Sequence, residues 1–218
     1  MPQLETGKRP TADQTASRIL AAAEKIFALG GYRAMTLREV TREAKVNLAA
    51  VNYHFGSKSN LMRAIIRERF EPINAERLRL LDQSITAHSP KPVPLQEIFD
   101  ALLRPMFFLG SPSSKGGTTL TQIIGRALAE PADLLRNLHR EFFEELSRRF
   151  MIELRRTCPH LDETTLQYRF FLSINTMIGT LIDQVCLEAI SGGKLSHADS
   201  DKILQELTDF TVAGFQQK

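Results

Sequence analysis

The sequence predicts an all-α protein: an N-terminal three-helix unit with a helix-turn-helix arrangement, joined through a fourth helix to a larger helical body. Three observations carry that expectation. Leu, Ala, Glu, Arg and Gln dominate long stretches in which apolar residues recur at helical spacing, and no sustained alternating run of β-branched residues interrupts them. Gly and Pro gather between those stretches rather than inside them. At 218 residues, 43% of them hydrophobic, the chain can bury a core as one mid-sized domain or two small ones.

The elements follow in order. Residues 1–10 hold Pro2, Gly7, Lys8, Arg9 and Pro10 with little apolar content, and read as a flexible arm. The first helix starts near Thr11, where Thr-Ala-Asp-Gln fits a capping box, and presents Ile19, Leu20, Ala23, Ile26 and Phe27 at helical spacing until Gly30-Gly31 ends it. Thr36-Leu37-Arg38-Glu39 is a second capping box and opens a helix with Leu37, Val40 and Ala44 facing inward. Asn47 is placed to cap a short third helix, and Ser57 a fourth that runs through Leu61, Ile65 and Ile66, with a kink expected at Pro72. Two short helices joined by a tight turn behind a supporting helix make a helix-turn-helix unit.

Beyond Ser84 the character changes. Ser89 to Pro94 is a rigid connector, and a fifth helix over about 94–110 ends in Leu102, Leu103, Met106, Phe107, Phe108 and Leu109. A loop over 111–117 precedes a sixth helix over about 118–129. Pro131 opens a long seventh helix reaching about Arg156, which Cys158-Pro159 stops. A long eighth helix over about 162–190 closes at Gly192-Gly193, and Ser196-His-Ala-Asp199 begins the ninth. The expected division is a helix-turn-helix domain over 11–58 and a larger helical domain over 59–218.

Charge is distributed unevenly. The net of +3 comes from 28 Lys/Arg and 25 Asp/Glu; residues 1–70 hold 12 basic against 6 acidic side chains, and the remainder 16 against 19. A basic front end on a mildly acidic body points to a polyanion partner for the front end. Several classes of function find no support. There is no His-Glu-x-x-His, Gly-rich phosphate loop or nucleophile elbow, and the near pairs His139/Glu141 and His160/Asp162 lack any further ligand or base. Cys158 and Cys186 have no metal spacing and read as reduced thiols. No catalysis, metal or cofactor is expected. With no charged-then-apolar leader and no apolar run near the ~18–20 residues that cross a bilayer, the expectation is a cytoplasmic protein without a membrane partner.

The third helix carries the functional signal. Val46, Val51 and Phe55 are expected to face the supporting helices, leaving Leu48, Ala49, Asn52 and Tyr53 outward with Ala50 and His54 at the margins. Asn52 is the best base reader, because an amide pairs bidentately with an adenine edge. Leu48, Ala49 and Ala50 either meet thymine methyls or permit close approach. Lys58 is placed to reach a phosphate at the start of the fourth helix, and Thr36 and Arg38 to act similarly at the start of the second, where Arg38 is also within reach of a base. Thr36 and Asn47 serve as caps first and contacts second; Arg42 and Lys45 add sequence-independent attraction.

The capped first helix, the Thr-x-Arg second helix and the run Asn-Leu-Ala-Ala-Val-Asn-Tyr-His-Phe-Gly-Ser-Lys ending at Lys58 resemble the DNA-binding domain of the tetracycline-repressor (TetR/AcrR) family over about residues 14–70. The resemblance implies phosphate contacts from Tyr53 and His54, although Tyr53 packing on the second helix is the alternative. It implies a homodimer bound to a palindromic operator on double-stranded DNA, a repressor released by a small apolar or amphipathic ligand. The chain departs from the family at Lys45, where the family usually has Gly, so that either Lys45 takes an uncommon backbone region or the turn differs slightly, and at Asn52, where the family often has Tyr.

For the ligand cavity implied by the resemblance, the candidates are Phe99, Leu102, Met106, Phe107, Phe142 and Phe143, with Arg104, Gln122 and Arg126 as polar anchors suited to a carboxylate or phosphate. For a dimer interface the candidates are Phe171, Ile174, Ile178, Leu181 and Ile182 of the eighth helix and Leu204, Leu207 and Phe210 of the ninth, two helices from each subunit. Asn175 and Asp183 either fix register inside that face or point to solvent. The competing reading, an all-α small-molecule-binding or scaffold protein without DNA binding, leaves the basic front end and the sparse outer face of the third helix unexplained.

Overall fold

Thr11 starts the architecture as the sequence predicts. Its hydroxyl accepts from the Gln14 amide at 3.3 Å while Gln14 Oε1 accepts from the Thr11 amide at 2.9 Å, a complete capping box that opens α1 (Ala12–Ala34). The computed structural model describes residues 11–109, 120–196 and 199–217. The expected arm over 1–10, the loop over 111–117 and the His197-Ala198 start of the last helix lie outside the described residues. The described residues form eleven helices and no strand, so the protein is all-α as predicted.

The chain divides into two units, Met1–Ile65 and Ile66–Lys218. In the first, α1 packs on α2 (Leu37–Ala44) and on α3 (Leu48–Phe55), with Ile19, Ala23, Phe27, Val40, Ala44 and Val51 buried. The regular helix breaks at Gly31, where φ is 76° and a side chain would be strained, but one further turn carries α1 on to Ala34. Ser57 Oγ accepts from the Asn60 amide at 3.1 Å and opens α4 (Lys58–His88). α4 continues as one helix through Pro72, and Pro72 and Glu68, whose carbonyl loses its amide partner, are both exposed.

The second unit contains α5 (Leu95–Phe108), α6 (Leu120–Leu128), α7 (Ala132–Phe142), α8 (Glu144–Thr157), α9 (Glu163–Ile182), α10 (Gln184–Ser191) and α11 (Ser200–Gln216). α11 packs on α5 and α9, α8 on α5, α7 and α9, and α6 on α9. Phe99 and Phe215 meet at 4.8 Å between ring centroids at the centre of that packing. Cys158 is buried, which pushes its thiol up, Cys186 is exposed, and both are free.

Two long helices expected from periodicity are each broken in two. The helix expected from Pro131 to Arg156 divides at Phe143, whose backbone (φ −128°, ψ −12°) leaves the helical region. The Phe142 carbonyl freed by that break accepts from Asn74 Nδ2 at 2.9 Å, and the Phe143 ring meets Phe70 edge-on at 5.1 Å. The helix expected over 162–190 divides at Asp183, whose carboxylate accepts from the Cys186 amide at 2.9 Å and so caps α10. Periodicity persists through both breaks, which is why the sequence reads each pair as one helix.

Candidate nucleic-acid interface

The α2–turn–α3 segment is built almost wholly from local bonds. Thr36 Oγ1 accepts from the Glu39 amide at 3.2 Å and Asn47 Oδ1 from the Ala50 amide at 2.9 Å, so each helix has its side-chain cap. Between them Lys45 takes the left-handed conformation (φ 53°, ψ 50°), the first of the two alternatives that its replacement of Gly left open. The amides of Lys45 and Val46 bond back to Arg42 and Thr41, closing α2. One long-range contact, not foreseen in the sequence, fastens this turn: Arg18 of α1 donates to the carbonyls of Ala44 at 2.5 Å and Lys45 at 3.2 Å. It satisfies C-terminal carbonyls that have no helical donor. The detectable signal was an arginine about two turns from Thr11 on the polar side of α1.

Val51 anchors α3 in the core of its unit. Around it Leu48, Ala49, Asn52 and Tyr53 are exposed, Tyr53 at 82%, while Ala50 and His54 are half-buried. The exposure of Tyr53 excludes the alternative in which it packs on α2. Its ring stands edge-on to His54 at 5.0 Å, which braces two of the proposed phosphate contacts against each other. Thr36 and Arg38 are exposed on the first turn of α2.

The cations differ in what holds them. Arg42 is ion-paired to Glu39, and Lys25 meets Glu43 at 2.6 Å, an interaction that lowers the Glu43 carboxyl below its ordinary range. Lys58 lies over the Tyr32 ring at 4.2 Å, with its ammonium 3.5 Å from the Arg33 carbonyl. Arg38 has no acidic partner among the described residues, and it sits at a helix N-terminus, where the dipole already favours anions.

The candidate pocket residues differ in burial and in place along the second unit. Phe99, Leu102, Met106 and Phe107 are buried in the α5 packing, whereas Phe142 and Phe143 are half-buried at the α7–α8 break. Arg104 pairs with Asp100 at 2.7 Å, and the two line an open polar groove with Gln96, Asp201 and Gln205 and not with the apolar candidates. Gln122 is exposed, and Arg126 pairs with Glu130 at 3.4 Å. Between the two apolar groups stands a residue the sequence reading passed over, Arg77. It is buried on the same stripe of α4 as Ile73 and Leu81, and that spacing was its signal.

Of the candidate interface residues, Leu204 and Leu207 are corrected to core positions. They are buried in α11, the helix that packs on α5 and α9. Phe171, Ile182 and Phe210 are exposed, Phe171 at 60% and Phe210 at 71%, while Ile174, Ile178 and Leu181 are half-buried. Tyr168 and Leu172 extend the exposed apolar side of α9 beyond what the sequence reading assigned. Asn175 folds back on the Phe171 carbonyl at 2.8 Å and Asp183 is a helix cap, so both are exposed.

A capped pair of short helices, with a sparse and solvent-facing second member, defines a helix-turn-helix protein. Comparison with known proteins agrees. Residues 19–65 match the model for bacterial regulatory proteins of the tetR family, and residues 100–214 match a tetracyclin repressor-like C-terminal domain. The chain belongs to the TetR family. It is 30% identical over 88 residues to the probable HTH-type transcriptional regulator YttP of Bacillus subtilis, which covers 40% of this chain and 42% of that protein. The fold matches a putative fatty acid metabolism regulator from Clostridium perfringens (17% identity, 90% of this chain and 97% of that one, TM-score 0.59). It likewise matches NalD of Pseudomonas aeruginosa, the secondary repressor of the MexAB-OprM multidrug efflux pump (18% identity, 94% and 98%, TM-score 0.58). No helix among the described residues is long and apolar enough to cross a membrane by itself.

Proposed function

We propose that this protein is a cytoplasmic DNA-binding transcriptional repressor, acting as a homodimer on a palindromic operator and released from it by a small-molecule effector. The observation that carries the proposal is the outer face of α3, where Asn52 and Tyr53 stand exposed beside small residues on a helix whose N-terminus Asn47 caps. In this reading residues 11–58 bind DNA and 59–218 bind ligand and dimerise. Asn52 reads a base edge and Leu48, Ala49 and Ala50 fit the groove floor. Thr36, Arg38, Tyr53, His54 and Lys58 hold the phosphates, with Asn47 contributing from its cap. Lys58 does so from its seat on Tyr32, which fixes the ammonium at the edge of the unit.

Exposed Phe171, Leu172 and Ile182 on α9 and Phe210 on α11, two helices that pack on each other, support dimerisation through that pair. Two-fold symmetry then sets the half-sites about one helical turn apart, ~34–36 Å or a multiple of it. The effector acts by favouring one of two conformers, only one of which fits successive grooves. The test is a titration onto DNA from the protein's own promoter region at several salt concentrations. Asn52→Ala is expected to weaken binding by ~1–3 kcal/mol and to relax preference at one position. Arg38→Ala is expected to weaken all sequences alike and lower the salt slope by about one. Absence of DNA binding at low salt would overturn the proposal.

A further inference from the structure

Arg77 is 3% exposed, on the face of α4 that also buries Ile73 and Leu81. Its Nε donates to the Leu102 carbonyl at 2.7 Å, Nη1 to Asn74 Oδ1 at 3.2 Å, and Nη2 to the Met177 thioether at 3.5 Å. A guanidinium has five N–H donors, and a thioether is a weak acceptor. The remaining donors meet no acceptor, and no carboxylate lies within ion-pair distance, among the described residues. Burial pushes the guanidinium down to about 9, so it stays a cation at neutral pH. A buried charge with only dipoles around it is unfavourable by several kcal/mol, and folded proteins pair such charges. Every other bond in this cluster orients the fork without neutralising it. Leu102 offers a carbonyl, and Asn74 is itself held by donating to the Phe142 carbonyl at 2.9 Å.

We propose that Arg77 is the anion anchor of the effector site, binding the carboxylate of a monocarboxylic ligand whose apolar tail packs beside Leu102, Met177 and Phe142. This rests on the reading of the protein as ligand-responsive and names the chemistry of its ligand. A carboxylate matches the planar fork bidentately and carries one negative charge against one positive. A phosphate dianion would bring a second, uncompensated charge into apolar surroundings. The Met177 thioether is the bond that a carboxylate oxygen displaces, since it is the weakest of the three and its side chain is flexible. Asn74 and Arg77 together join Leu102 of α5, Phe142 at the α7–α8 break and Met177 of α9, so a ligand there touches the two apolar groups that otherwise stand apart.

The experiment uses the full-length protein, octanoate and dodecanoate, the alcohols of the same lengths, and inorganic phosphate. Thermal unfolding and calorimetry follow binding to wild type, R77M and R77K, and operator binding is measured separately by anisotropy. At least one carboxylate is expected to bind wild type saturably, at least tenfold more tightly than its alcohol and than phosphate. R77M is expected to keep or raise the unliganded Tm, because an apolar side chain replaces an unpaired charge, and to lose at least tenfold in carboxylate affinity. R77K keeps the charge without the fork and is expected to fall between; it and the alcohol comparison decide the matter if R77M does not fold. Equal binding of carboxylate and alcohol, unchanged affinity in the Arg77 variants, preference for phosphate, or no carboxylate binding overturns the inference. If carboxylates fail while operator binding holds, the regulator reading stands and only the ligand assignment falls.

Discussion

Two arginines, Arg38 on the first turn of α2 and Arg77 on the buried face of α4, lack an acidic partner among the described residues, and they lack it in opposite surroundings. Arg38 is solvated, so leaving it unpaired is nearly free; its energy lies in a long-range field that adds to the α2 dipole and that salt screens. Arg77 is desolvated, so leaving it unpaired is unfavourable and salt does not reach it. The first arrangement suits a polyanion met from outside and read through geometry elsewhere. The second suits a single small anion met at one position. The same residue type therefore marks two kinds of site, and burial tells them apart.

The comparison is broken most directly by making the same charge reversal at both places. Arg77→Glu sets a carboxylate against the Leu102 carbonyl in a buried site and is expected to destabilise the protein by about 3–5 kcal/mol. Arg38→Glu is expected to leave stability within about 0.5 kcal/mol of wild type while removing measurable operator binding. Denaturant unfolding and DNA anisotropy on both variants check this. Comparable stability losses at the two positions would mean that the difference in burial does not govern their energetics.

A pH series sharpens the same contrast. The folded-state value for Arg77, about 9, lies well below the ordinary guanidinium value that the unfolded chain keeps. Between those two values the unfolded state binds more protons, so this group makes stability rise with pH through that window. The effect is fully developed above the unfolded-chain value and disappears as pH falls through about 9. Relative to R77M, which lacks the group and cancels the background titration, wild type is expected to gain on the order of 1 kcal/mol by pH 10. A bound carboxylate holds the guanidinium charged and is expected to abolish that gain.

How much of this was legible in the sequence follows from the range of each interaction. Thr11, Thr36, Asn47 and Ser57 bond to amides three residues on, and the left-handed turn at Lys45 follows from its own position; local patterns reveal all of them. Tyr53 needed only its place on an eight-residue helix to be expected outward. The breaks at Phe143 and Asp183 were hidden because apolar spacing continues across them, and what makes the first tolerable is Asn74, a residue far away in sequence. Leu204 and Leu207 looked like interface residues because a broad apolar face does not say which part a neighbouring helix covers. α11 packs on α5 and α9, and those leucines belong to its buried side, while Phe210 is left exposed. Arg77 was passed over for the converse reason, being a charged residue on an apolar stripe.

The smallest expected effect tests whether the first unit trades stability for charge. Lys45 is the only non-glycine residue with positive φ among the described residues, and it ends α2 where Gly is favoured. Lys45→Gly removes the steric cost of a side chain in the left-handed region and keeps the backbone bonds to Arg42 and Thr41. The variant is expected to be more stable than wild type by roughly 0.5–1 kcal/mol, because relief in the folded state exceeds the extra freedom that Gly gains when unfolded. It also removes one exposed cation from the side of the turn that leads into α3. Operator affinity at low salt is therefore expected to fall severalfold, with the salt slope reduced by up to one and no change in sequence preference. Arg18 still fastens the Ala44 and Lys45 carbonyls, so the turn geometry is retained and the two effects separate. A Lys45→Gly protein that is less stable than wild type would show that the lysine side chain stabilises the turn more than its backbone conformation strains it.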